Sequence, residues 1–277
     1  MRKAPDVRRI DPRRTIGFTI VALLGAVLAG AAVVPASFAD AALARATQGR
    51  VRLAQAQGTI WNGSARLVLA EGRVSASDDA AALPPADDAL VAGVAIPGRV
   101  DWSIRALPLL VGQLDAQLRF DRVAQPVRVH GGWGEVRVDA GAVELPSVEL
   151  GRLGSPWNTV RPSGALRLSW ENLVLRRSGL DGRAQIELRG ASSAMTPVRP
   201  LGSYRVDVVG SGSRAELSIA TIDGPLRLQG NGSFDANRGL RFVAEASAEA
   251  RERERLQSFL GLIGPREGEH TIIRIGT

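Results

Sequence analysis

The stretch 204–234, "YRVDVVGSGSRAELSIATIDGPLRLQGNGSF", decides the fold class. Tyr204, Val206 and Val208 alternate with Arg205 and Asp207, and "AELSIAT" and "PLRLQG" continue the period of two. Such alternation builds antiparallel strands with one buried and one wet face. Gly210, Asp223-Gly224 and Asn231-Gly232 read as turns between them.

Working outward, the pattern returns along most of residues 58–245. Leu114, Ala116, Leu118 and Phe120 share a face in "QLDAQLRF", as do Leu166, Leu168 and Trp170 in "ALRLSW" and Ile186 and Leu188 in "AQIELRG". Upstream, "QGTIWNGSARL" (57–67) sets Trp61 beside Asn62-Gly63, a strong hairpin signal. Asn62-Gly63 and Asn231-Gly232 are therefore expected as type I′ turns with positive φ at both central residues, and the five tryptophans as core aromatics. No strand–helix–strand rhythm occurs, which argues against a doubly wound sheet. The expectation is a mainly β protein, with a curved antiparallel sheet or sandwich and one late amphipathic helix. That helix is read over 248–263, where Leu256, Phe259, Leu260 and Ile263 fall at helical spacing before Gly264-Pro265. A final strand, "HTIIRIG", follows it.

Residues 15–39 run 25 positions without a charge, after a segment (1–14) holding six basic and two acidic residues. That length spans a bilayer as a helix, and the bases keep the N-terminus cytoplasmic. The division expected is a cytoplasmic tail at 1–14, an uncleaved single-span anchor at 15–39 and a periplasmic β domain at 40–277. A signal peptide cleaved after "SFA" is the competing reading. Residues 75–93, with Asp78, Asp79, Asp87 and Asp88 around Pro84-Pro85, read as an acidic surface loop.

The residue inventory limits the chemistry. The chain has no cysteine, hence no disulfide and no thiolate metal site. Lys3 is its only lysine, which removes P-loops and lysine nucleophiles from the folded part. His130 and His270 lack carboxylates at ligand spacing. "GSGS" (210–213) and "GNGS" (230–233) open no helix and fit no dinucleotide fingerprint. No catalytic, cofactor or metal residues are expected, so the reading is a non-enzyme. The net charge of +7 comes from arginine, and no aromatic stacking pattern accompanies it, so nucleic acid is not the expected partner.

Four segments in order carry a family resemblance: "VPASF" ending the apolar run with "GTIWNGSARL" after it, "GRVDWSIRALPLLVGQLDAQLRF" (98–120), the opening stretch 204–234, and "RLQSFLGLIGPREGEHTIIRIG" (255–276). The layout resembles type II secretion system protein N, the general secretion pathway protein N of Gram-negative bacteria. The resemblance implies a bitopic inner-membrane accessory of the machine that exports folded proteins, meeting the secretin or the inner-membrane platform. It supplies no active-site residues. A second reading is an envelope lipid-handling module of the AsmA-like kind, whose curved sheet holds acyl chains in an apolar groove. A closed Leu/Val core favours the scaffold, and an open apolar trough favours lipid.

Overall fold

A computed structural model of the chain describes residues 33–70, 87–88, 93–121, 123, 125–152, 157–235 and 238–276. The basic tail, most of the expected anchor and most of the acidic loop lie outside the described residues. No described helix is long and apolar enough to cross a membrane.

The chain builds one long antiparallel meander. After helix α1 (Ser37–Ala46) come β1 (Val51–Gly58), β2 (Asn62–Leu69), the two-residue β3 (Val94–Ala95), β4 (Val100–Ile104), helix α2 (Ala106–Leu109), β5 (Gln113–Phe120) and β6 (Val127–Gly132). Then follow β7 (Glu135–Val138), β8 (Gly141–Glu149), helix α3 (Trp157–Val160), β9 (Pro162–Trp170), β10 (Leu173–Arg176) and β11 (Gly179–Ser193). The last elements are β12 (Gly202–Ser211), β13 (Arg214–Asp223), β14 (Leu226–Asp235), β15 (Gly239–Ala248), helix α4 (Arg253–Ile263), β16 (Arg266–Glu267) and β17 (His270–Ile275). Each main strand pairs with its predecessor in sequence, from β1–β2 to β15–β17. Among the described residues no pairing joins β1 to β17, so the sheet is open.

The middle of the meander contains two interrupted strands. Val138↔Leu173 and Gly141↔Trp170 lie on one register, so β7–β8 and β9–β10 each run as a single long strand with a break at 139–140 and 171–172. Across the break the apolar positions change parity in both strands, from Val136, Val138, Leu173 and Leu175 to Gly141, Val143, Leu168 and Trp170. Side chains fill the gap. Ala140 N–H donates to Asn172 Oδ1 at 2.9 Å, and Trp170 Nε1–H donates to the Asp139 carbonyl at 2.9 Å. A Cβ on Gly141 would meet both the Trp170 ring and a Val127 methyl. The parity change therefore keeps the apolar residues on one inner face while the sheet turns.

Each end of that inner face is covered by a helix. α1 packs Ala36, Ala39 and Leu43 on Leu53, Ala65 and Trp102. α4 packs Leu256 and Phe259 on Ala191, Tyr204 and Leu226. Between them Leu145 and Val148 of β8 fold back onto Val94 and Leu69, which curves the sheet. Asp40, in the first turn of α1, accepts from Arg52 and from the Leu53 N–H, pinning that helix to β1.

Several expectations need correcting. The folded domain begins inside the expected anchor: Ala36 is buried and Ser37–Ala39 are the start of α1. The late helix starts at Arg253, not 248, because Ala246 and Ala248 complete the β14–β15 ladder. Asn62 and Gly63 belong to β2, and the hairpin turn is one step earlier, at Thr59–Trp61, with Gly58 at φ 85°. Asn231 and Gly232 are mid-strand in β14, paired with β13 on one side and β15 on the other. Trp102 is a core residue, but Trp133 is 82% exposed at the β6–β7 tip.

Candidate interaction surfaces

The expected turn residues serve the sheet in another way. Gly63 faces Trp102 across β2–β4, and Gly232 faces Phe242 across β14–β15. A Cβ at Gly63 would sit 2.5 Å from Trp102 Cζ2, and one at Gly232 would sit 2.4 Å from Phe242 Cδ2. Gly141 stands in the same relation to Trp170, at 2.7 Å. These are ring-over-glycine pairs, in which a missing side chain makes room for an aromatic from the next strand. The "NG" dipeptide does not distinguish this use from a turn. Phe242 lies ten residues downstream of Gly232 and Trp102 thirty-nine downstream of Gly63, and only the strand register brings each ring over its glycine. Asn231, on the opposite face, lines a shallow depression of about 530 Å³ with Asp207, Glu216, Ser218 and Arg241.

The outer face carries the charge. Asp115 of β5 is held by Arg105 at 2.8 Å and Arg128 at 3.1 Å. Glu135 bridges Arg137 and Arg176, and Arg176 also pairs with Asp181. Glu187 takes Arg189 at 2.7 Å and its cross-strand neighbour Arg205 at 3.3 Å. Many arginines thus answer this chain's own carboxylates, so the basic composition does not translate into an open anion-binding surface. His130 lies in this network, its Nδ1 3.4 Å from Asp139 and buried without a hydrogen bond. Among the described residues no cluster of three His, Cys, Asp or Glu side chains has metal-binding geometry.

The hydrogen bond from Arg128 holds the Asp115 carboxyl below its ordinary value, and those from Arg137 and Arg189 do the same for Glu135 and Glu187. A carboxyl whose folded value is depressed stabilises the fold above its unfolded value, and that stability is lost as pH falls through the folded value. The urea midpoint should therefore hold at neutral pH and decline below about pH 5, where unfolded carboxyls begin to protonate. Glu187→Gln should flatten the decline. The change should be modest, since the guanidinium partners are half-exposed.

The inner face differs between its parts. Beneath the helices it is closed, whereas Ile186, Val206, Val208, Leu217 and Ile219 in the middle of β11–β13 are only half-buried. The domain is thus a curved antiparallel meander with a charge-paired outer face and a partly open apolar inner face. A family model described as type II secretion system (T2SS), protein N matches residues 49–275, and the chain belongs to that family. The match covers the whole described sheet from β1 to β17, which makes the protein a component of type II secretion. Comparison with curated proteins and with solved structures gave no match.

Proposed function

We propose that the protein is an accessory of the type II secretion machine, held in the inner membrane by the uncharged run that begins at Thr15, with its N-terminus cytoplasmic and its β domain periplasmic. It supports export through protein contacts and carries out no reaction. The family match across the full sheet supports this reading most directly. The start of the fold supports an uncleaved N-terminus. The Ala36 N–H donates to the Gly58 carbonyl at 3.1 Å, and cleavage after Ala39 would remove that bond and a core residue. The partner is the secretin or the inner-membrane platform, met by the polar outer face.

Photocrosslinkers at Ser218 and Ser233, on the outer face, test this in an exporting Gram-negative host. The expected result is crosslinks to secretion components and reduced export on deletion of the chain. Intact export after deletion, with crosslinks only to unrelated proteins, would sink the reading. The half-buried middle of the inner face favours a second reading, in which the trough holds an acyl chain. Native mass spectrometry of the protein extracted from membranes would then show a bound lipid, and its absence would leave the contact role alone.

A further inference from the structure

In an antiparallel meander alternate turns gather at the same end. One end of this sheet collects the β1–β2, β4–β5, β6–β7, β10–β11, β12–β13 and β14–β15 connections. The other end carries α4 and the links around 121–126, 194–201 and 224–225. Exposed apolar side chains are concentrated at the first end. Leu107 (79% exposed), Leu110 (78%) and Val111 (74%) project from and beside α2, next to Trp133 at the following tip. Phe234 and Leu240 flank the β14–β15 turn in the same way, and both are exposed.

The Trp133 ring is held at this rim by geometry. Gly112 has φ 75°, and a Cβ there would lie 2.2 Å from Trp133 Nε1. The indole therefore rests against the base of the Leu107–Val111 turn, and the two tips make one apolar patch. Exposed apolar patches of this kind mark contact with another protein or a membrane. The hairpin tips also bring exposed arginines, at Arg177 and Arg238, whereas Arg105 and Arg214 at the same end are paired with Asp115 and Asp235. Tryptophan and leucine beside arginine is the composition of a membrane interface, where the rings enter the headgroup layer and the guanidinium groups meet lipid phosphates.

The path of the chain selects the membrane from those two. The Val34 carbonyl accepts from the Ile60 N–H at 2.9 Å, and Pro35 bridges to Thr59 in the β1–β2 turn. The chain before residue 34, which holds most of the uncharged run, therefore joins the domain at this rim. At a strand spacing of about 4.8 Å, α2 lies about 10 Å and Trp133 about 20 Å from that exit point. A domain tied so closely to its anchor brings this end toward the bilayer.

We infer that this rim is a membrane-contact edge. The Leu107–Val111 turn and Trp133 enter the interfacial layer of the bilayer, so the sheet stands on the membrane with α4 pointing away. The inference rests on the anchored reading above, and the two can fail separately.

The chain lacks cysteine, so single labels can be introduced without background. Leu110→Cys and Trp133→Cys place a polarity-sensitive fluorophore on the rim, while Met195→Cys and Leu262→Cys, both exposed, place it at the opposite end. The full chain is reconstituted in vesicles of phosphatidylethanolamine and phosphatidylglycerol carrying nitroxide-labelled lipid, and flotation is scored in the same samples. The expected result is flotation of all four proteins, with rim labels quenched several-fold more than the others. Flotation with equal quenching at both ends would overturn the rim contact and leave the anchor standing. Failure to float, with no quenching, would overturn both. A blue shift at the rim without quenching would point to self-association of the chain and also overturn it. Leu107→Asp with Leu110→Asp should reduce quenching of the label at position 133 while flotation persists.

Discussion

Asp40→Ala should lower the stability of the protein by about 3–5 kcal/mol, the cost of removing one partner from a buried ion pair. Asp40 Oδ2 accepts from Arg52 Nη2 at 2.8 Å and Oδ1 from Arg52 Nε at 3.1 Å, and Oδ1 also takes the Leu53 N–H at 2.7 Å. The two side chains are 6% and 10% exposed, so water cannot replace the carboxylate without opening the α1–β1 junction. Stability of a domain is on the order of 5–15 kcal/mol, so the loss is a large share of it. Urea denaturation measures the effect, and Asp40→Asn should recover part of it by keeping an acceptor for Leu53. A loss below about 1 kcal/mol, the range of an exposed pair, would mean the junction is wet and the helix is not pinned as described.

Gly232→Val and Gly63→Val should each cost about 1–3 kcal/mol or more, because they overpack sites where the neighbour is partly backbone. At Gly232 an added Cβ meets Phe242 Cδ2 at 2.4 Å and the Arg241 carbonyl at 2.5 Å. At Gly63 it meets Trp102 Cζ2 at 2.5 Å and the Gln57 carbonyl at 2.7 Å. A ring can swing aside, but a carbonyl in a sheet ladder cannot. Gly134→Ala is the control, since nothing lies within 4 Å of its Cβ position. Steady-state level and export should fall together for the valine variants and stay unchanged for the control. A Gly63→Val protein that is abundant yet fails to support export would make the β1–β2 hairpin a contact site instead.

The sheet was legible in the sequence because its faces differ in polarity, and alternation such as that of Leu114–Phe120 reports this directly. The positions of the turns were less legible. Asn62-Gly63 and Asn231-Gly232 have the composition of tight turns, yet both lie within strands, where Trp102 and Phe242 need space over a glycine. That need arises from register between strands, which local composition does not carry. The parity change at 139–140 was hidden for the same reason, since Asn172 and Trp170 fill the gap from the neighbouring strand. Among the surfaces, the reading of all five tryptophans as core aromatics rested on residue type alone, and it holds for Trp102. It fails for Trp133, because Gly132 and Gly134 put that residue on a tip that periodicity treats as an interruption.

The order of the strands also governs how the protein can be made. Every main strand finds its partner in the segment synthesised just before it, and among the described residues no strand pairing joins the two ends of the sheet. The chain can therefore assemble in the order in which it emerges, hairpin upon hairpin, starting from the junction of α1 with β1. Such local pairing favours rapid folding. Until the last segment arrives, the growing side presents an unpaired β15 that could add a strand from another molecule. β17 then occupies that side, and α4 covers the face beside it. β17 is itself the last strand, so the C-terminal residues exchange the ten-residue edge of β15 for a shorter one that β16 pairs in part, and a chain released before residue 270 would keep the longer, stickier edge.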